Sequence, residues 1–293
     1  MFGVGGRAGS VRATGAGPVV VTGGSVPEGH IVHRLAELHR RRFAGEPVRV
    51  GSPQGRFTAA AELDGAVFRD AQAHGKHLWH RYGPDRVVHV HLGLYGKFTE
   101  APVPLGQPRG KVRMRLVGPT HGTDLRGPAA CELLTEEELA RLRDRLGPDP
   151  LRSDAEPETA WQRVTRSRSA VAALLMDQSV LSGVGNAYRA EVLFRWGVPP
   201  RLPGHSLPRR HWDAIWDDLV ALMSDGVRTG RIDTVREEHS PEVTGRAPRN
   251  DRHGGEVYVY RRAGAACLVC STPVATAELL GRKLYWCPRC QRE

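Results

Sequence analysis

Apolar positions along the chain follow three successive patterns. Ile31, Leu35 and Leu38 recur at helical spacing and Val32 widens the stripe, which predicts an amphipathic helix over residues 27–42. Pro27 suits the first position of that helix, where an N–H has no intrahelical partner. From residue 48 to residue 117 the runs shorten. Strands are predicted at 66–73, 76–82, 87–92 and 111–117, punctuated by Gly and Pro. Thr135, with Glu138 three residues on, spells a capping box and opens a helix over 135–145. Gly147-Pro148-Asp149-Pro150 then breaks the chain. Helical spacing returns at 157–167, 169–177, 186–195 and 208–229, followed by a polar loop over 232–255. The tail from residue 257 is short β material around four cysteines.

The expected fold class is α+β and multidomain. Residues 27–147 form one helix with a β-sandwich or small barrel, 148–158 a linker, 159–250 a helical domain and 251–293 a cysteine-bearing tail. Residues 1–26 fit none of these patterns. They are Gly-rich, hold no Asp, Glu or Lys, and are expected to be a disordered leader. No apolar run approaches the roughly 20 residues that a membrane span needs. No sustained apolar segment follows Met1 to suggest a secretion signal. The expectation is a cytoplasmic, nucleoid-associated monomer, since no heptad repeat or large apolar stripe is present.

Charge and cysteine spacing narrow the choice. With 42 Lys plus Arg against 32 Asp plus Glu, the formal net charge is +10 and the pI about 9.9, which favours a polyanionic partner. Cys267, Cys270, Cys287 and Cys290 form C-x2-C-x16-C-x2-C. Two such turns close a tetrahedral Zn²⁺ site with no open position for substrate, so one structural zinc is expected. Paired CxxC spacing also points to a reducing compartment rather than to disulfides, and Cys131 is left without a role. Gly281, Arg282 and Lys283 lie between the pairs at an expected hairpin tip suited to phosphate.

Gly183 and Gly185 flank Val184, so backbone is expected to approach something closely there. Asn186 then opens a helix whose N–H groups read either as a phosphate site or as a tight inter-helix turn with a capping Asn. Gly183-Val184-Gly185-Asn186-Ala187-Tyr188 with Glu191 resembles the helix-two-turns-helix signature of the formamidopyrimidine-DNA glycosylase and endonuclease VIII family. Gly281-Arg282 through Cys287-Pro288-Arg289-Cys290-Gln291 resembles the zinc-finger β-hairpin of the same family. Pro27-Glu28-Gly29-His30 resembles its amino-terminal signature. The resemblance spans residues 27–291.

The resemblance implies a DNA glycosylase with lyase activity acting on damaged DNA, with zinc as the only cofactor. It casts Pro27 as nucleophile, Glu28 as general acid, and Lys76 and Arg282 as catalytic or phosphate-binding cations. Asn186 and Gly185 belong to its DNA-binding turn. Leu94 and Tyr95, in His91-Leu92-Gly93-Leu94-Tyr95-Gly96, match the loop that fills the gap left by a flipped nucleotide. Arg126, in Asp124-Leu125-Arg126-Gly127-Pro128, matches in part a DNA-contacting loop of the formamidopyrimidine branch, but the aromatic of that loop is absent. No Gly-rich base-capping segment is found in 231–255. These departures favour the endonuclease VIII-like branch and oxidised pyrimidines.

The proline chemistry has a condition. A secondary amine that attacks the sugar C1′ becomes a permanently cationic iminium, and an α-amino group titrates near 8. Within a chain the same nitrogen is an amide and inert. Residues 1–26 must therefore be absent from the active form. Val26 as a start codon read as methionine, or proteolysis of a real leader, would each expose Pro27. Two other readings stand beside the enzyme: a zinc-ribbon nucleic-acid-binding regulator, and an extended family member with Pro27 blocked that only binds lesions.

Overall fold

The computed structural model describes residues 19–20, 27–250 and 255–292. Its amino-terminal half contains β1 (Val19–Val20), α1 (Gly29–Phe43), β2 (Arg49–Gly51), α2 (Ala60–Leu63), β3 (Asp70–His74), β4 (His77–Arg81) and β5 (Val87–His91). These are followed by β6 (Lys97–Pro102), β7 (Val112–Val117), β8 (His121–Arg126), β9 (Ala130–Leu134) and α3 (Glu136–Arg143). The strands form two sheets, ordered β1-β6-β8-β7-β2 and β3-β4-β5-β9. Leu78, Val88 and Val90 of one sheet share a core with Phe98, Met114, Leu116 and Leu125 of the other, and Leu35 and Phe43 of α1 close it. This is the expected sandwich, with more strands than periodicity predicts.

Four observations correct the expectations. α1 begins at Gly29, so Pro27 lies before the helix and Glu28 is its extended N-cap. Within the leader, Val19–Val20 pair antiparallel with β6, so the expectation of disorder does not hold there. The exposed backbone of an edge strand takes up a β-branched pair readily. The other leader expectations lie outside the described residues. Strands β2, β6, β8 and β9 fall where no strand is predicted. The helix expected over 169–177 shrinks to one turn, α5 (Val171–Leu174), because Asp177 Oδ1 takes the Ser179 N–H at 2.9 Å and turns the chain. The capping box at Thr135 forms as expected.

The second half holds α4 (Pro157–Thr165), α5, α6 (Asn186–Arg195), α7 (Arg209–Thr229), one turn of helix α8 (Pro241–Thr244) in the polar loop, and the hairpin β10 (Ala275–Leu279) and β11 (Arg282–Trp286). Leu193, Trp212, Ile215 and Leu219 of the helices share one core with Tyr258, Leu284 and Cys287 of the cysteine-bearing tail. The tail is thus packed into the helical layer. Helix α1 joins the halves: Arg34 donates to the carbonyls of Val227 (2.8 Å) and Arg228 (2.7 Å) at the end of α7, where the last carbonyls lack helical partners.

Candidate active site

Three segments cross at a point made of glycine. Gly29 N donates to Gly183 O at 2.9 Å. A Cβ on Gly29 would lie 2.8 Å from Gly183 Cα, and one on Gly75 would lie 2.9 Å from Gly183 N. Gly183 itself has φ of +90°, which an L side chain resists. The close approach expected of this turn is therefore real. Gln178 sews the turn, accepting from Gly183 N and donating to Val184 O, each at 3.0 Å. Ser182 N donates to Pro148 O at 3.0 Å, and the adjacent buried Asp149 holds the other two segments, accepting from Gly75 N (2.6 Å), His33 Nε2 (2.7 Å) and Leu151 N (2.9 Å). Burial would raise the Asp149 carboxyl, but His33 and the two backbone donors hold it below its ordinary value.

Freed of side chains, the crossing lets Glu28 reach across. Its carboxylate accepts from Gly185 N (3.0 Å), Ala187 N (2.8 Å) and Tyr188 N (3.5 Å). Those groups are the open N-terminus of α6, where partial positive charge collects. Both readings of that helix start are corrected. Gly185, not Asn186, is the N-cap, and the N–H groups are filled by an internal carboxylate. A Cβ on Gly185 would come within 2.4 Å of Glu28 Cδ, which explains glycine there. Burial raises the Glu28 carboxyl above its ordinary value, opposed by nearby Lys76 and by the three N–H donors. Lys76, in the two-residue turn between β3 and β4, donates to Val184 O at 2.7 Å. Burial lowers its ammonium, Glu28 opposes this, and Arg282 and Arg189 lower it further.

Glu28, Lys76, Gly185, Asn186 and Arg282 line one cavity of about 400 Å³, with Lys283, Tyr260 and Tyr285 on its far wall. Pro27, one residue from Glu28, is buried beside it. Asn186 Nδ2 donates to Lys283 O at 3.0 Å, and Arg189 donates to Lys283 O at 3.2 Å and to Asn186 Oδ1. These bonds set the hairpin over the cavity. Leu280 and Gly281 make its turn, both with positive φ as such a turn requires, so Arg282 and Lys283 open β11 rather than sit at the tip.

The hairpin is held at its base by four cysteines. Sγ of Cys267, Cys270, Cys287 and Cys290 all lie within 4.8 Å of one another; Cys267 to Cys290 is 3.9 Å and Cys270 to Cys287 is 3.4 Å. Tetrahedral zinc with bonds of about 2.3 Å needs sulfurs about 3.8 Å apart, so the set fits one structural zinc. Gln291 locks the second knuckle, accepting from Cys287 N at 3.0 Å and donating to Val198 O at 2.9 Å.

Leu94 and Tyr95 stand apart from the cavity on the β5–β6 loop, 49% and 83% exposed. A Cβ on Gly127 would meet Tyr95 O at 3.0 Å, so the turn after β8 supports that loop. Arg126 lies in neither place. Its guanidinium donates to Thr99 Oγ1, Asp124 Oδ2 (2.8 Å) and Arg109 O (3.1 Å) over the β6–β8–β7 sheet, beside the Arg115–Asp124 pair. Sequence reasoning missed Gln178, Asp149 and Arg189. None belongs to a periodic pattern, and only Arg189, three residues after Asn186 on one helix face, carried a usable signal.

Family models match in chain order: the formamidopyrimidine-DNA glycosylase N-terminal domain over residues 26–130, its H2TH domain over 146–237, and the zinc finger found in FPG and IleRS over 264–292. Endonuclease 8 1 of Mycobacterium tuberculosis is 54% identical over 271 residues, spanning 91% of this chain and 100% of that protein. Formamidopyrimidine-DNA glycosylase of Geobacillus kaustophilus is 31% identical over 242 residues, 80% and 84% of the two chains. Lactococcus lactis formamidopyrimidine-DNA glycosylase, solved non-covalently bound to DNA containing an AP site, shares the fold at a TM-score of 0.73 and 18% identity, over 91% of this chain and all of that one. The chain belongs to the formamidopyrimidine-DNA glycosylase and endonuclease VIII family, the DNA glycosylases of base-excision repair.

Proposed function

We propose that this glycosylase excises oxidised pyrimidines and cleaves the abasic site by β,δ-elimination through Pro27. The observation that carries the reading is Glu28, buried one residue from Pro27 and lining the same basic cavity as Lys76 and Arg282. In the reaction, the Pro27 nitrogen attacks C1′ and the base leaves. Glu28, whose carboxyl burial raises above its ordinary value, gives its proton to the opening sugar. The iminium acidifies C2′, and loss of that proton expels the 3′ phosphate; a second elimination expels the 5′ phosphate. Lys76 and Arg282 grip the flanking phosphates, Asn186 and Gly185 hold the turn beneath them, and Leu94 and Tyr95 enter the gap that the flipped nucleotide leaves. Arg126, bound to Asp124 and Thr99 over the sheet, is given no contact with DNA. Zinc holds the hairpin and takes no chemical part. Preference for pyrimidines rests on the missing aromatic at Asp124-Leu125-Arg126-Gly127-Pro128 and on the 54% identity to a protein named Endonuclease 8 1. The acting form is a monomer with Pro27 as its first residue, residues 27–147 supplying the nucleophile and 159–293 most of the grip.

Borohydride trapping on an abasic-site oligonucleotide tests this. A chain beginning with Met in place of Val26, from which that Met is removed, should give a covalent band, and the 293-residue chain none. Bands from both would assign the attack to another amine, with Lys76 the first candidate. No band from either, with zinc bound and Pro27 verified as the free terminus, would remove the lyase reading.

A further inference from the structure

A second hollow lies at the opposite end of α6. That helix has 10 residues, so at 1.5 Å per residue its ends are about 15 Å apart. Its N-terminus receives Glu28. Past its C-terminus, residues 197–203 and the start of α7 enclose a pocket of about 490 Å³. The pocket is lined by apolar Val198, Pro199, Leu202 and Pro203, with Arg201, His211 and Arg292 at its polar edge. No carboxylate lines it among the described residues. Arg201 and Arg292 are exposed and make no hydrogen bond or ion pair among the described residues, whereas many arginines of this chain are paired with Asp or Glu. Buried His211 Nδ1 has no partner either. The walls are fixed: Val198 O is held by Gln291, and Ala170 bridges Pro203.

An apolar hollow rimmed by unpaired cations fits a ligand that presents a bulky apolar group among carboxylates. DNA offers charge but no apolar side chain to fill the hollow. We infer that this pocket docks an acidic peptide segment of a partner protein, one apolar side chain seated on Leu202 and Pro199 and flanking carboxylates on Arg201 and Arg292. The docked segment leaves the Glu28 cavity open, so partner and damaged DNA bind together. The inference does not depend on the lyase reading.

Fluorescence anisotropy of the full chain with a labelled Glu-Asp-Glu-Asp-Leu-Phe hexapeptide tests it, against the same peptide with Ala for Leu and Phe. Saturable binding is expected, weakened about tenfold or more by the double charge reversal R201E/R292E and by loss of the apolar residues. Binding of duplex DNA should be unchanged in R201E/R292E, and an excess of duplex should not displace the peptide. Both arginines are exposed, so folding is retained, which circular dichroism checks. No saturable binding, equal binding of the Ala peptide, or displacement by duplex would each overturn the proposal; the last would make the face a nucleic-acid surface.

Discussion

Two buried glutamates perform the same structural act on one helix, Glu28 at the start of α6 and Glu191 within it. Glu28 takes three backbone N–H groups at the start of α6. Glu191 takes Tyr258 N (2.7 Å), Val259 N and Tyr260 N (2.8 Å each) and Thr234 Oγ1 (2.6 Å). Both side chains are almost wholly buried. The difference lies in what else can reach them. Glu28 borders the cavity beside Lys76, whereas Glu191 does not line that cavity, although Arg195 and Arg262 lie near it. A carboxylate clasped by backbone donors is therefore not in itself a catalytic feature. In the proposed reaction access to the cavity is what sets Glu28 apart, and each region can be broken separately.

Metal removal should separate the clasps most strongly. Structural zinc contributes about 10–16 kcal/mol of apparent binding energy to such modules. The donors to Glu191 belong to the segment that leads into the zinc module, and those to Glu28 do not. Stripping zinc with a chelator should abolish amide-exchange protection at Tyr258, Val259 and Tyr260 while leaving Ala187 and Tyr188 protected. Equal loss at both would show one cooperative unit.

Glu28→Gln comes next. The amide keeps the shape and one acceptor but cannot give the proton, so glycosylase turnover should fall about 10²- to 10⁴-fold. The melting temperature should fall modestly, because both oxygens accept backbone N–H groups and the amide NH2 leaves at least one of them without its acceptor. A fall in turnover no larger than the fall in folded fraction would make Glu28 a structural clasp only. The reverse pattern is expected of Glu191→Ala, which leaves three N–H groups and a hydroxyl without their acceptor. Stability should drop by about 2–4 kcal/mol in urea titrations, and any fall in activity should track the folded fraction. A catalytic defect in fully folded protein would bring Glu191 into the site.

The contrast also explains what was legible beforehand. The cysteine spacing announced the zinc site because metal ligation demands residue type and interval together. Pro27, Glu28 and the Gly183-to-Tyr188 turn were legible through family likeness. That Glu28 clasps α6 was not, because a contact across 157 residues leaves no local trace. α1 and α6 showed in their periodicity, and α6 matched residue for residue. β8 did not, because its buried residues include Thr123 and Asp124, with Asp124 paired to Arg115 and Arg126 instead of apolar neighbours. A strand whose interior is polar looks like a loop until its partners are in place. Arg126 drew attention as a DNA ligand for the same reason: its ion pair is invisible in sequence.

Acidification should produce the smallest effect per residue and locate it in one half of the molecule. Among the described residues the buried histidines are His30, His39, His80 and His89, all in the first half. Burial lowers His30 and His39 to about 3, with Arg34 and His33 adding to the effect at His30; His80 is also lowered, by burial and by His39. His39 Nδ1 and His80 Nε2 share one hydrogen bond of 2.9 Å within the sandwich core. Unfolded histidine titrates near 6.5, so between 6.5 and 3 the unfolded chain binds more protons and stability falls as pH falls. At pH 5 His30 and His39 each cost about 2 kcal/mol relative to pH 7. Urea titrations at pH 7 and pH 5, on wild type and on His39→Leu/His80→Leu, measure the share of this pair. The double variant should lose stability at pH 7 yet show a shallower pH dependence. An unchanged slope would mean that the core pair takes up protons in the folded protein about as readily as in the unfolded chain, and that the acid sensitivity comes from other lowered histidines, His77 and His30 first, the latter edge-on to Tyr188 beneath the Glu28 clasp.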